Sequence, residues 1–304
     1  MEKNTNFRSV AALWLGHKKQ YVKQSSYALY CTLVGTHLVP FLGTKHEVLE
    51  ADVQEMVNRE LAAGLSQKTV KDILVVLRMI LRFGAKSGLI EDHRIDIVFP
   101  TRRERTEIQV LTLAHQRLLM EYVKEHFSFR NLGILICLTA GLRIGEICAL
   151  RWADLDLTAG VIRVRRTIQR IYLDGRTELI EGAPKTVSSI REIPLTRELS
   201  ALIRPLKKIV KADSYVLSNS PSPTEPRTYR AYFKRLSGII GLPAMRFHGL
   251  RHSFATRCIE SKCDYKTVSS ILGHSNISTT LNLYVHPNLD QKRRCIDAMS
   301  KMLK

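Results

Sequence analysis

NLGILICLTAGLRIGEICALRW (Asn131–Trp152) runs through ADLDLTAG into VIRVRRTIQ (Val161–Gln169). The first stretch carries apolar residues at helical spacing, with a glycine turn at Gly141 just before Arg143. The second alternates apolar and basic residues with a period of two, the pattern of a strand with one buried face. This change of period separates an all-helical chain from one that also holds a sheet.

Working outward, YLDGRTEL (Tyr172–Leu179) contains Asp174-Gly175, a pair suited to the positive φ angles of a two-residue hairpin turn. SIREIPLT (Ser189–Thr196) reads as another strand. AHQRLLMEYVKEHF (Ala114–Phe127) is helical, and from PRTYRAYFKRLSGIIG (Pro226–Gly241) the chain reads as helix to its end. The expected fold is mainly α with a small antiparallel β-sheet, an α+β chain.

Toward the N-terminus the pattern is helical throughout. In LSQKTVKDILVVLRMILRFGAKSGLI (Leu65–Ile90), Ser66 is placed to cap. Val70, Ile73, Leu74, Leu77, Ile80 and Leu81 form one stripe, Lys68, Lys71, Arg78 and Arg82 the opposite face, and Gly88 the stop. HKKQYVKQSSYALY (His17–Tyr30) reads as a second basic, tyrosine-bearing helix. VFPTRRERTEIQVLT (Val98–Thr112) combines Pro100 with a dense charge run and reads as a linker. The expected division is a helical domain over 1–105 and a second domain over 106–304.

Lys and Arg number 47 against 28 Asp and Glu, a formal net charge of +19. Such a surplus repels itself in a compact chain, and a polyanion such as nucleic acid is the usual compensating partner. The six cysteines (31, 137, 148, 258, 263 and 295) show neither a C-x-x-C pair nor metal-ligand spacing with His. They read as reduced residues of a cytoplasmic protein. No apolar run reaches transmembrane length, and MEKNTNFRSV lacks the apolar core of a signal peptide.

Three places supply cations or imidazoles in special local settings. Arg143 in TAGLRIGE follows the glycine turn and opens a helix, whose first amides and the guanidinium fork both suit an anion; an ion pair with Glu146 is the alternative. His248 and Arg251 in RFHGLRHSFAT share a helix face. In LGHSNISTTLNLYVH (Leu272–His286), Gly273 reads as a helix stop before His274. There Ile277, Leu281 and Tyr284 fall on one face of the next helix, so on this segment alone Tyr284 also reads as a core residue.

Taken in order, TAGLRIGEICALRW, FHGLRHSFAT and LGHSNISTTLNLY, followed by Val285-His286, resemble the tyrosine recombinases, or phage integrase family. The resemblance spans about 108 to 290, and the N-terminal helices resemble the family's DNA-clamping core-binding domain. It implies a reaction. Tyr284 is the nucleophile, forming a 3′-phosphotyrosyl bond and releasing a 5′-hydroxyl. Arg143 and Arg251 neutralise the non-bridging phosphate oxygens, where charge grows in the transition state. His274 donates to the same phosphate, His248 exchanges the tyrosine proton, and Glu146 orients Arg143. Lys185 in GAPKTVSSIREIPL matches the family's general acid, although a solvated turn lysine reads the same way in isolation.

The phosphoester energy is kept in the tyrosyl bond, so no cofactor is implied. The sequence agrees, with no P-loop and no carboxylate cluster of the kind that holds Mg²⁺. The implied partners are double-stranded DNA with inverted half-sites, three further copies of the chain in a tetramer, and an accessory directionality factor. Integration and excision of a mobile element is the leading reading, and Xer-like resolution of chromosome or plasmid dimers the alternative. A type IB topoisomerase and a DNA-binding regulator are the remaining classes. In the tail, Cys295, Ile296, Met299, Met302 and Leu303 form an apolar stripe, which packs either on its own domain or on a neighbouring protomer.

Overall fold

The computed structural model describes residues 5–91, 95–101, 109–184, 186–284, 293, 296–297 and 299–301. The chain divides into two compact units, Met1–Arg105 with Arg170–Glu178, and Thr106–Gln169 with Leu179–Lys304.

The first unit is built on α1 (Phe7–Lys19), α2 (Gln24–Leu33), α3 (Val39–Leu42), α4 (Glu50–Ala62) and α5 (Gln67–Lys86). A single π-helical turn, Val34–Leu38, joins α2 to α3. Helix α5 starts where Ser66 Oγ accepts from the Thr69 amide at 3.1 Å. Val70, Ile73, Leu74, Leu77 and Ile80 are buried, each contributing about 2 kcal/mol of apolar burial, and Leu81 is only half-buried. Gly88, at φ 65°, ends the helix, and the Leu89 amide returns to the Gly84 carbonyl at 2.9 Å. Lys68, Lys71, Arg78 and Arg82 are all exposed.

The stretch 17–30 is not one helix. Helix α1 closes on His17, Lys18 and Lys19, cations that complement the carbonyl end of a helix dipole. Lys23 is extended and starts α2, its carbonyl accepting from the amides of Ser26 and Tyr27.

The second unit contains α6 (Leu113–Glu125), α7 (Phe129–Ala140), α8 (Ile144–Ala149), β1 (Leu155–Asp156) and β2 (Val161–Val164). After the hairpin strands β3 (Thr167–Leu173) and β4 (Arg176–Gly182) come β5 (Arg191–Pro194), α9 (Arg197–Leu206), α10 (Pro226–Ile240), α11 (His248–Glu260), α12 (Tyr265–Leu272) and α13 (Ile277–Tyr284). Helix α7 is buried from Asn131 to Leu138 and packs against α6 and α11. The expectation of a single sheet is corrected. Among the described residues there are two, a three-stranded sheet in the order β1-β2-β5 and a separate pair β3-β4. In the first, Ile162 faces Leu155 on one side and Ile193 on the other, in antiparallel register.

Thus VIRVRRTIQ is two strands, not one. The break falls at Arg165-Arg166, and Arg166, on the same parity as Ile162, Val164 and Ile168, reaches buried Asp154 with Nη2 2.5 Å from Oδ2, while its Nε lies 3.2 Å from Glu181 Oε1. The hairpin turn is as read from sequence, with Asp174 and Gly175 both at positive φ. Helix α9, capped by Thr196 Oγ1 accepting from the Leu199 amide, fills a stretch to which the patterns assign nothing. Among the described residues no helix is long and apolar enough to cross a membrane.

Candidate active site

Chain reversal at Gly141 sets the first guanidinium in place. Gly141 has φ 63°, and a Cβ there would lie 2.5 Å from Phe254 and 3.0 Å from Leu272. Backbone conformation and space both select glycine. Arg143 then becomes the residue that opens α8, in extended conformation. Glu146, one turn on, folds back. Its Oε2 accepts from the Arg143 amide at 2.9 Å and its Oε1 from Arg143 Nη1 at 2.8 Å. The Arg143 amide is therefore occupied by the chain's own carboxylate.

The second Nη of Arg143 donates to the Gly273 carbonyl at 2.9 Å. Arg251 lies one turn into α11 and is 2% exposed. It donates to the Gly141 carbonyl at 2.8 Å and to the Leu272 carbonyl at 2.7 Å. The two guanidiniums thus dock on consecutive carbonyls at the C-terminal end of α12, where a helix leaves oxygens unpaired and partially negative. His274 is the next residue. Its Nδ1 is 2.8 Å from Thr280 Oγ1, and Thr280 is fully buried in α13.

His248 opens α11, edge-to-face with His252 at a ring separation of 4.5 Å. Burial first, then the charges on His252, Arg251 and Arg143, push His248 down to about 4, against the opposing carboxylate of Glu146. Burial first, then Arg251, Arg143, Arg191 and His248, push His274 down to about 4 as well. Both imidazoles are neutral at pH 7, each offering one N–H and one lone pair. Burial alone would raise Glu146, but Arg191 and Arg143 outweigh it and hold the carboxyl below its usual range. Arg143 and Arg191 pair with Glu146 while Arg251 rests on peptide carbonyls, so among the described residues positive charge is concentrated in a sheltered place.

The structure therefore pairs Arg143 with Glu146, docks Arg143 and Arg251 on the adjacent carbonyls 273 and 272 just before His274, and sets His248 in the field of both guanidiniums. Lys185 lies outside the described residues. Tyr284 is the last residue of α13, a helix packed on α11 and α12, and its side chain is outside the described part. Among the described side chains of α13, Thr280 is buried and Leu281 half-buried, while Ile277, expected on the core face, is 39% exposed. Of the tail stripe, Ile296 and Met299 are helical and exposed, and Cys295, Met302 and Leu303 lie outside the described residues.

Arg191 and Thr280 escaped the sequence reading. Arg191, at the start of β5, has a side chain 6% exposed. Its Nη1 and Nη2 donate to Oε1 and Oε2 of Glu146 at 3.0 and 2.9 Å. A signal was available, because Arg191 lies two residues from buried Ile193 and so on the same strand face.

Comparison with known proteins follows the same lines. The family model described as "Phage integrase family" matches residues 109–291. A "Tyrosine recombinase XerC-like" protein of Caldanaerobacter subterraneus subsp. tengcongensis is 28% identical, over 94% of this chain and 76% of that one. The ICEBs1 integrase of Bacillus subtilis is 22% identical, over 99% and 84% respectively. Among solved structures, the Tn1549 transposon integrase in complex with a circular intermediate DNA matches with a TM-score of 0.78 and 25% identity, covering 97% of this chain and 99% of that one. A lambda integrase dimer bound to a core site shares the fold at a TM-score of 0.65 and 16% identity, covering 93% and 79%.

Proposed function

This chain belongs to the phage integrase family, and from that membership we propose that it integrates and excises a mobile genetic element. It is a site-specific DNA recombinase of the tyrosine class. In the proposed reaction, Tyr284 Oη attacks the scissile phosphorus and its proton passes to His248. The bond from phosphorus to the 5′ oxygen breaks, and Lys185 protonates that oxygen. Arg143 and Arg251 bear on the non-bridging oxygens, and His274 donates to one of them. Rejoining is the same sequence reversed, with the 5′-hydroxyl as nucleophile. One observation carries this reading: Arg143 and Arg251 are anchored on the adjacent carbonyls 273 and 272, beside neutral His274. Charges fixed before substrate arrives need no reorganisation when the transition state forms.

Residues 1–105 act in this proposal as the DNA-clamping domain and 106–304 as the catalytic domain with its tail helix. The protein works in the cytoplasm, at the nucleoid, with a directionality factor selecting excision. Its likeness to integrases of a transposon and of ICEBs1 favours mobile-element traffic. The XerC-like relative favours dimer resolution as the second reading. Inverted half-sites recovered by selecting the protein on a random duplex pool supply the test. An integrase recombines two sites that differ outside the crossover. A resolvase recombines only two copies of one site, and that result would replace the first reading with the second.

Assembly is tested on the same DNA. At +19 the free chain resists self-association until phosphates neutralise it. We expect a monomer alone and a tetramer on paired sites. Binding should be cooperative, and the affinity should fall with salt at a log–log slope of about −0.9 per phosphate contacted. Deleting 292–304 removes the tail stripe. If the tail docks in trans, the truncated protein fills single half-sites in a mobility-shift titration but loses cooperativity. Undiminished cooperativity in a folded truncation would assign the tail to its own domain.

A further inference from the structure

We propose that Arg191 is a positioning residue for strand cleavage, locking Glu146 to the end of α12 so that Arg143 stays aimed and available. The proposal rests on the recombinase reading above.

The argument begins with Glu146. A buried carboxylate needs its lone pairs satisfied and its charge balanced. Four donors converge on its two oxygens, the amide and Nη1 of Arg143 and both Nη groups of Arg191. Arg191 makes the bidentate contact, the geometry in which a guanidinium matches a carboxylate best. It is therefore the main counter-ion of Glu146. Without it, Glu146 would draw its balancing charge from Arg143 alone. A guanidinium neutralised in that way is a poorer partner for a phosphate.

Arg191 also fixes distance. Its Nε donates to the Ile271 carbonyl at 2.5 Å, and Nη1 donates to the Ser189 carbonyl at 3.1 Å. One side chain thus ties the start of β5, the carboxylate behind Arg143 and the last turn of α12. The fit leaves no slack, since a Cβ on Gly273 would lie 2.9 Å from the Ser188 carbonyl and 3.1 Å from Arg191 Cδ. Gly273 itself receives Arg143 Nη2. At 6% side-chain exposure Arg191 is withheld from solvent, so it acts through Glu146 and the α12 end, not on DNA directly.

The experiment uses full-length protein and a nicked duplex bearing the selected half-site, from which the covalent adduct accumulates. Adduct rate, half-site affinity and thermal stability are measured for wild type, Arg191→Met, Arg191→Lys, Glu146→Gln and the double variant Arg191→Met/Glu146→Gln. Arg191→Met should form adduct about 100-fold more slowly, the scale of a misplaced catalytic group, with affinity retained. Arg191→Lys keeps the charge but not the fork, and should recover part of the rate. The double variant leaves no unbalanced buried carboxylate, so stability should return while cleavage stays at the level of Glu146→Gln alone. That split separates positioning from folding, even if Arg191→Met is too unstable to assay. A wild-type rate in Glu146→Gln, or cleavage returning along with stability in the double variant, would overturn the proposal. A wild-type protein that forms no adduct would instead overturn the recombinase chemistry itself.

Discussion

Tyr284→Phe should abolish the covalent adduct while leaving DNA binding intact. The substitution removes one oxygen, and that oxygen is the atom that would bond to phosphorus. A phenol titrates near pH 10, so at neutral pH it attacks only where a base accepts its proton and cations relieve the phosphate's repulsion. In the proposed reaction, neutral His248 would accept the proton and the two guanidiniums would relieve the repulsion. The check is a suicide duplex nicked beside the cleavage point, which traps wild-type protein on the 3′ phosphate. An adduct persisting in the Phe variant would remove Tyr284 from its role. Loss of binding would show that the residue packs rather than reacts.

Arg143→Ala and Arg251→Ala should each slow cleavage by about a hundredfold or more, since a preorganised donor to a developing oxyanion is worth roughly 3 kcal/mol. Half-site affinity should fall far less, because many cations share the backbone. Arg251→Ala carries a structural cost as well, for it leaves the carbonyls of Gly141 and Leu272 without that donor. Thermal stability must therefore be read beside rate. Lys185 gives the contrast. If it protonates the leaving oxygen, Lys185→Ala should regain speed on a substrate with sulfur at the bridging 5′ position, because a thiolate leaves unprotonated. Arg143→Ala should gain nothing from sulfur if its work is on the non-bridging oxygens. Equal slowness of Lys185→Ala on both substrates would move the acid elsewhere, with His248 the next candidate.

Periodicity made the helices legible, and glycines marked their ends. Gly141 and Gly273 stand as helix stops because a left-handed residue after an apolar run is a local requirement, visible in a few letters. The sheet was only half legible. Arg166 looks like one more basic residue in VIRVRRTIQ, and nothing local reveals that it pairs with Asp154 and Glu181 where the two strands part. The site divides the same way. Arg143, His248, Arg251 and His274 stand at distinctive positions near turns and helix starts. Arg191 and Thr280 are identified by what they touch, Glu146 across 45 positions in one case and His274 in the other. A strand arginine and a helix threonine have unremarkable neighbours in sequence, and long-range partners leave no periodic trace.

The anchoring of Arg143 and Arg251 on peptide carbonyls has a consequence for how this protein can drift. A carbonyl is present whatever residue carries it. Leu272 can exchange for another side chain of similar volume and still offer the oxygen that Arg251 grips. Gly141 and Gly273 are constrained by their left-handed backbone and crowding, not by any chemistry of their own. Much of the scaffolding under the catalytic cations is thus written in main chain and is indifferent to spelling. The exception is the carboxylate of Glu146 with its Arg191 clamp, where both letters must persist together. Mutational tolerance should accordingly be broader at positions that offer only a carbonyl, such as Leu272, than at Gly141, Gly273 or the Glu146–Arg191 pair.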